Sequence, residues 1–135
     1  MTRYVIDAGT ALRLVAQEVA VAPAHQLLAP TLWRSQVLSA LHAAVVRGEL
    51  SDDVGRARLA AVGRLQVRLL GDGVLRRTAW TVASRLGWAG TEDAEYVALT
   101  QLQADALVTA DPELAAAAAA WVRVAPFEDL VAAEG

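Results

Sequence analysis

Residues 91–113 read T-E-D-A-E-Y-V-A-L-T-Q-L-Q-A-D-A-L-V-T-A-D-P-E. The stretch predicts a helix, a tight turn and a short buried strand that ends in an acid. Thr91 is expected to cap the helix, its hydroxyl accepting an orphan backbone N–H. Glu92 and Asp93 follow in the first turn, where the helix dipole favours negative charge. Ala94, Val97, Ala98 and Leu102 share one face at helical spacing. Ala106-Leu107-Val108-Thr109 is apolar without alternation, the pattern of a parallel strand covered on both faces. Asp111 comes just past its end. Ligand sites of open parallel α/β sheets lie outside the carboxyl ends of the strands. Asp93 and Asp111 are therefore candidates for one site.

The same alternation extends in both directions. Upstream, Tyr4-Val5-Ile6 reads as a first strand ending in Asp7, followed by a short helix through Leu12, Leu14 and Val15. Residues 18–25 are loop-like, and 26–29 form a second strand ended by Pro30. Pro30-Thr31 opens the strongest helix, with Trp33, Val37, Leu41, Ala44 and Val45 as its apolar stripe and Gly48 just beyond its end. Ser51 caps the next helix, which runs to about Leu65. A third strand spans 66–70, and a helix over 74–86 turns Leu75, Ala79, Val82, Ala83 and Leu86 inward before Gly87 stops it. Downstream of the opening stretch, Pro112 takes the first position of a helix that continues through the alanines to Ala120. Residues 121–124 read as a fifth strand and 127–133 as a final short helix. The order β-α-β-α-α-β-α-α-β-α-β-α predicts a parallel sheet with helices on both faces, as one domain over residues 1–135.

Composition removes several function classes. The chain has 135 residues, 56% of them hydrophobic and 20% charged, which is enough apolar material for a real core. No apolar run approaches the roughly 20 residues that cross a bilayer, and the first residues lack signal-peptide form. A cytoplasmic protein with no membrane association is the expectation. There are no cysteines, so disulfides and thiolate metal sites are excluded. The net charge of -3 is not the basic footprint of a general nucleic-acid binder. All 12 basic residues are arginines, and without a lysine a phosphate-binding P-loop is excluded. No G-x-G-x-x-G follows the first strand, and no G-x-S-x-G is present. His25 and His42 lack metal-ligand spacing and read as surface residues. Trp33, Trp80 and Trp88 read as core.

What remains is carboxylates at strand ends. Asp7 follows the first strand, Asp111 follows the fourth, and Asp93 opens the helix between. If the first and fourth strands are neighbours where the sheet order reverses, Asp7 and Asp111 face each other there. Oxygen ligands without Cys or His suit a hard cation, Mg²⁺ or Mn²⁺. Clustered carboxylates repel one another unless a cation neutralises them. Each acid alone also has an ordinary reading, Asp7 and Asp111 as turn or cap residues and Asp93 as a dipole partner.

With these residues placed, the chain resembles the PIN-domain family, in particular the VapC-type toxins of toxin–antitoxin pairs. The matching segments are Tyr4-Val5-Ile6-Asp7-Ala8, Ala29-Pro30-Thr31-Leu32-Trp33-Arg34-Ser35-Gln36-Val37, Asp93-Ala94-Glu95-Tyr96-Val97-Ala98-Leu99 and Leu107-Val108-Thr109-Ala110-Asp111-Pro112-Glu113-Leu114. They keep the family's order and cover nearly the whole chain. The resemblance implies a three-layer α/β/α domain with a five-stranded parallel sheet in order 3-2-1-4-5. It implies an Mg²⁺- or Mn²⁺-dependent endoribonuclease in which an activated water attacks the scissile phosphorus. Asp7, Asp93 and Asp111 match the first, third and fourth acids of the family. The second acid, usually Glu in an R-S-E segment, is here Gln36, which keeps an acceptor oxygen but not the charge. Gly9 stands where the family often has Ser or another small polar residue. Glu113 is the better-placed substitute for the missing charge, and Glu92 points about 100° away from Asp93. Arg13, Arg34 and Thr109 are the candidates for contact with RNA. The implied partners are an RNA substrate, a cognate antitoxin and a second copy of the chain in a homodimer.

Three readings stand at this level: a PIN-type ribonuclease altered at its second acid, a PIN-fold binding module without catalysis, and an oligomerisation domain using the alanine-rich helix.

Overall fold

The computed structural model describes residues 1–132. Four strands form one parallel sheet in the order β3-β2-β1-β4: β1 (Thr2–Ile6), β2 (His25–Pro30), β3 (Val67–Leu70) and β4 (Ala106–Val108). Val5 pairs with Leu28 on one side and Leu107 on the other. Parallel strands need crossovers, and six helices supply them or follow them: α1 (Ala8–Ala16), α2 (Trp33–Val46), α3 (Asp52–Gly63), α4 (Gly73–Leu86), α5 (Glu92–Gln103) and α6 (Pro112–Ala118). The result is a three-layer α/β/α fold. α1, α2 and α3 pack on one another, whereas α5 lies against β1, β2 and β4 with α4 packed onto it.

The centre of the sheet is dry. Val5, Ile6, Ala29, Ala106 and Leu107 have no accessible surface, so an unalternated apolar sequence is what these strands require. Local chemistry sets the helix ends. Asp7 Oδ1 accepts the Thr10 N–H at 2.8 Å, Ser51 Oγ the Val54 N–H at 3.1 Å and Asp72 Oδ1 the Leu75 N–H at 2.8 Å. Gly48 and Gly87 take the left-handed backbone, φ 78° and 72°, that ends α2 and α4.

Several expectations are corrected. The fifth strand is reduced to a single bridge: Val124 lies parallel to Leu107, held by Leu107 N–H to Arg123 O and Ala125 N–H to Leu107 O, both 2.9 Å. The sheet is therefore four-stranded, not five. The reason is length: α6 ends at Ala118 and the chain turns through Ala119–Val122, so only a few residues lie beside β4 before Pro126. The expected final helix is a 3-10 turn, Phe127–Leu130, and the Ala133 end of that expectation lies outside the described residues. Thr91 makes no side-chain cap bond. α5 is not half-exposed. Tyr96, Leu99 and Thr100 are buried along with Ala94, Val97 and Ala98, because α4 covers the side away from the sheet, while Leu102 is 40% exposed. Trp80 stands 72% exposed, not in the core. His25 opens β2 half-buried and sets its ring edge-on to Tyr4, not in a loop.

Candidate active site

β1 and β4 are adjacent, and their carboxyl ends are stitched together. Thr10 Oγ1 donates to Val108 O at 3.1 Å, and Asp7 N–H donates to the same carbonyl at 3.4 Å. The sheet order reverses here, since β1 leads through α1 to β2 on one side while β4 lies on the other. Side chains that follow these two strands converge at this edge.

Asp7 is the most constrained of them. Its carboxylate accepts from Thr10 N–H, from Ala110 N–H at 3.1 Å (Oδ2), and from the Thr109 hydroxyl. A carboxylate offers about four lone-pair positions, so three donors leave one for a further ligand. Gly9 makes the approach possible. A Cβ at this position would stand 2.8 Å from the Ala110 Cβ, so only glycine lets the start of α1 meet the β4–α6 turn. Gly9 thus answers to packing against Ala110.

Thr109 joins the two strand-end acids. Its hydroxyl donates to Asp7 and accepts the Asp111 N–H at 3.0 Å. Asp111 in turn caps α6, its Oδ1 accepting the Glu113 N–H at 2.9 Å. Asp93, in the first turn of α5, completes the acidic edge. Its pKa is raised, first by burial and then by repulsion from Asp111, Asp7 and Glu92. Three acids from β1, β4 and α5 therefore share one electrostatic field.

Gln36, in the first turns of α2, joins them through Tyr96. The Tyr96 hydroxyl donates to Gln36 Oε1 at 2.5 Å. Burial, then the charges of Asp7, Asp93 and Glu95, hold the Tyr96 phenol above its usual pKa. The position occupied by an acid in the resembled family is thus linked, through Tyr96, to the field of Asp7 and Asp93. Tyr96 was read only as part of a matching segment. Its role is visible in the sequence only through its spacing, one helical turn after Asp93 on α5.

The remaining candidates are placed less centrally. Arg13 lies over the Phe127 ring, 3.9 Å from its centroid, and pairs with Glu128 at 3.5 Å. Arg34 is exposed and makes no ion pair among the described residues. Glu113 is exposed just past Asp111. Glu95 is half-buried, its pKa raised by burial and by Glu92 against an opposing pull from Arg76.

The donor set is carboxylates, with an amide and hydroxyls nearby. That chemistry fits a hard divalent cation such as Mg²⁺ or Mn²⁺ and no softer one. The ligand cage is not drawn closed: among the described residues, no three Asp, Glu or His side chains stand together as a ready metal site. No helix among the described residues is long and apolar enough to cross a membrane.

No family model and no curated protein matches the chain. Solved structures do. The PAE2754 protein of Pyrobaculum aerophilum superposes with a TM-score of 0.74 at 22% identity, over 94% of this chain and 90% of that one. A chain of VapBC2 from Rickettsia felis, solved bound to a DNA fragment from its promoter, gives 0.66 at 6% identity, over 92% and 98%. A chain of VapBC-1 from nontypeable Haemophilus influenzae gives 0.59 at 15%, over 93% and 98%. At these identities the likeness extends over whole chains and concerns the fold alone, so the protein shares the fold of these three structures.

Proposed function

We propose that this protein is a divalent-metal-dependent endoribonuclease and the toxin of a toxin–antitoxin pair. The observation that carries the reading is the junction of Asp7 and Asp111 at the carboxyl ends of adjacent parallel strands, tied by Thr109 and lying in the field of Asp93. Asp7, Asp93 and Asp111 would hold Mg²⁺ or Mn²⁺. When bound, the cation supplies an activated water and a counter-charge for the phosphate. The chain supplies the positioning. Three donors fix the Asp7 carboxylate, Thr109 ties it to the backbone of Asp111, and exposed arginines, Arg34 first, would meet the flanking phosphates of the RNA. The likeness to chains of VapBC structures supports an antitoxin partner, and a homodimer belongs to the same reading. A location in the cytoplasm goes with it.

RNA cleavage in Mn²⁺ tests the enzyme, with Asp7→Asn as its control. Cleavage by the wild type and none by the variant is expected, and a wild type that cleaves no RNA in Mn²⁺ or Mg²⁺ overturns the enzyme reading. Growth arrest on expression, relieved by co-expressing any small protein found encoded beside it, tests the toxin assignment. Sedimentation tests the dimer.

Gln36 favours a second reading, a binding module of the same fold without catalysis. A neutral amide at the second acid leaves the cation one charge short. Cleavage gained only in Gln36→Glu would favour this reading over the first.

A further inference from the structure

The amide of Gln36 has two ends, and the structure uses one of them. Oε1 accepts the Tyr96 hydroxyl. Phenols are protonated at neutral pH, so the hydroxyl is a standing donor to one of the two lone pairs of that oxygen. Nε2 makes no hydrogen bond among the described residues, yet it is not among their buried unpartnered atoms, His25 Nδ1 and Trp33 Nε1. Gln36 is half-buried. Its NH₂ therefore meets solvent at the acidic edge, held there by a bond at its other end.

A neutral amide is a weaker cation ligand than the carboxylate it stands in for, and one of the two lone pairs of its oxygen already accepts from Tyr96. Its unbonded, solvent-accessible N–H groups are donors that suit an anion. The site needs such a group. Three carboxylates repel an approaching phosphate, and an acid at position 36 would add to the repulsion.

The geometry points to Gln36 as a substrate-binding residue that donates from Nε2 to a phosphate oxygen of the RNA, with Tyr96 as the positioning residue that orients it. This inference rests on the ribonuclease reading and gives its second-acid position a different task. The cation is left to Asp7, Asp93 and Asp111, and position 36 turns from metal to substrate.

The test separates the two ligands. Mn²⁺ affinity is read by titration calorimetry without RNA. RNA affinity is read by fluorescence anisotropy of a short mixed-sequence single-stranded oligonucleotide with Ca²⁺ as the cation. Gln36→Ala is expected to weaken RNA binding about 10-fold, the scale of one hydrogen bond to a charged group, and to leave Mn²⁺ affinity within about twofold. Tyr96→Phe keeps the buried ring and removes only the donor. It is expected to weaken RNA binding less than Gln36→Ala does, and to have no further effect on the Gln36→Ala background, as two members of one interaction must. Gln36→Glu is expected to do the reverse of a conservative change, tightening Mn²⁺ and weakening RNA. Loss of Mn²⁺ affinity in Gln36→Ala would make Gln36 a metal ligand and overturn the inference. Unchanged RNA affinity in that variant overturns it too, and leaves the ribonuclease reading standing. A wild type that binds neither Mn²⁺ nor RNA removes both.

Discussion

The Thr109 hydroxyl has one proton to give, and it goes to Asp7; its lone pair receives the Asp111 N–H. A single side chain therefore orients the Asp7 carboxylate and holds it to the backbone of Asp111. Groups that orient metal ligands are worth about 10–100-fold in affinity or activity. Thr109→Val keeps the β-branched shape and removes the hydroxyl, so Mn²⁺ affinity should fall within that range. Thr109→Ser should recover most of it, with calorimetric titration as the measure. Asp7→Asn makes a different point. Asn caps helices about as well as Asp, so α1 should keep its first turn and thermal unfolding should move little. The carboxylate is nonetheless gone, and an amide cannot accept from Thr109, Ala110 and Thr10 while offering a charge to a cation. RNA cleavage should fall by more than about 100-fold, beyond what the loss of an orienting group causes. A variant that unfolds instead would show that Asp7 serves the fold before it serves the site.

At the scale of elements, the approach of α1 to the β4–α6 turn is the tightest constraint on the site. Alanine in place of a helical glycine ordinarily stabilises by about 0.5–1 kcal/mol. Here the added methyl would meet the Ala110 Cβ at 2.8 Å, and overpacking costs about 1–3 kcal/mol. Gly9→Ala should therefore destabilise by about 1–2 kcal/mol in urea unfolding, and Ala110→Gly should restore the loss by removing the opposing methyl. The strands and most helix ends were legible because their signals are local: an unalternated apolar run for β1 and β4, a side-chain cap at Ser51, a glycine at Gly48 and Gly87. Asp7 and Asp111 could be placed at strand ends for the same reason, whereas the adjacency of the first and fourth strands came from the resemblance and not from alternation. What failed depended on neighbours. The exposure of Trp80 and the burial of Tyr96 follow from how α4 lies on α5, which no periodicity in either helix records. The run 121–124 has strand-like residues, and the turn after α6 leaves room for one bridge only. The Gln36–Tyr96 bond spans 60 residues of sequence and joins two helices across the site, so neither segment announces it.

For the molecule as a whole, the acidic edge is a liability to folding until something neutralises it. The chain carries a net charge of -3, and Asp93 lies within the repulsion of Asp111, Asp7 and Glu92. Asp93 reports the effect. Its folded pKa lies above the ordinary value of 3.8, through burial first and then the repulsion of Asp111, Asp7 and Glu92. In the folded chain it holds its proton more tightly than in the unfolded one. The native state therefore binds more protons in the window just above 3.8, and stability falls as pH rises through that window. Below 3.8 this contribution is fully present, and above the folded pKa it is lost. At neutral pH without divalent metal, Asp93→Asn should then melt higher than the wild type, since a neutral amide removes the repulsion. Adding Mn²⁺ should invert the order. A ligand that binds only the folded state stabilises it by about 2.7 kcal/mol at a concentration 100 times its dissociation constant, and the wild type has the ligand that the variant lacks. Thermal midpoints of the two proteins, with EDTA and with Mn²⁺, should cross. If Mn²⁺ raises both alike, Asp93 is no ligand. If the wild type melts higher in EDTA as well, repulsion at this edge is too weak to matter, and the charge missing at position 36 brings no relief.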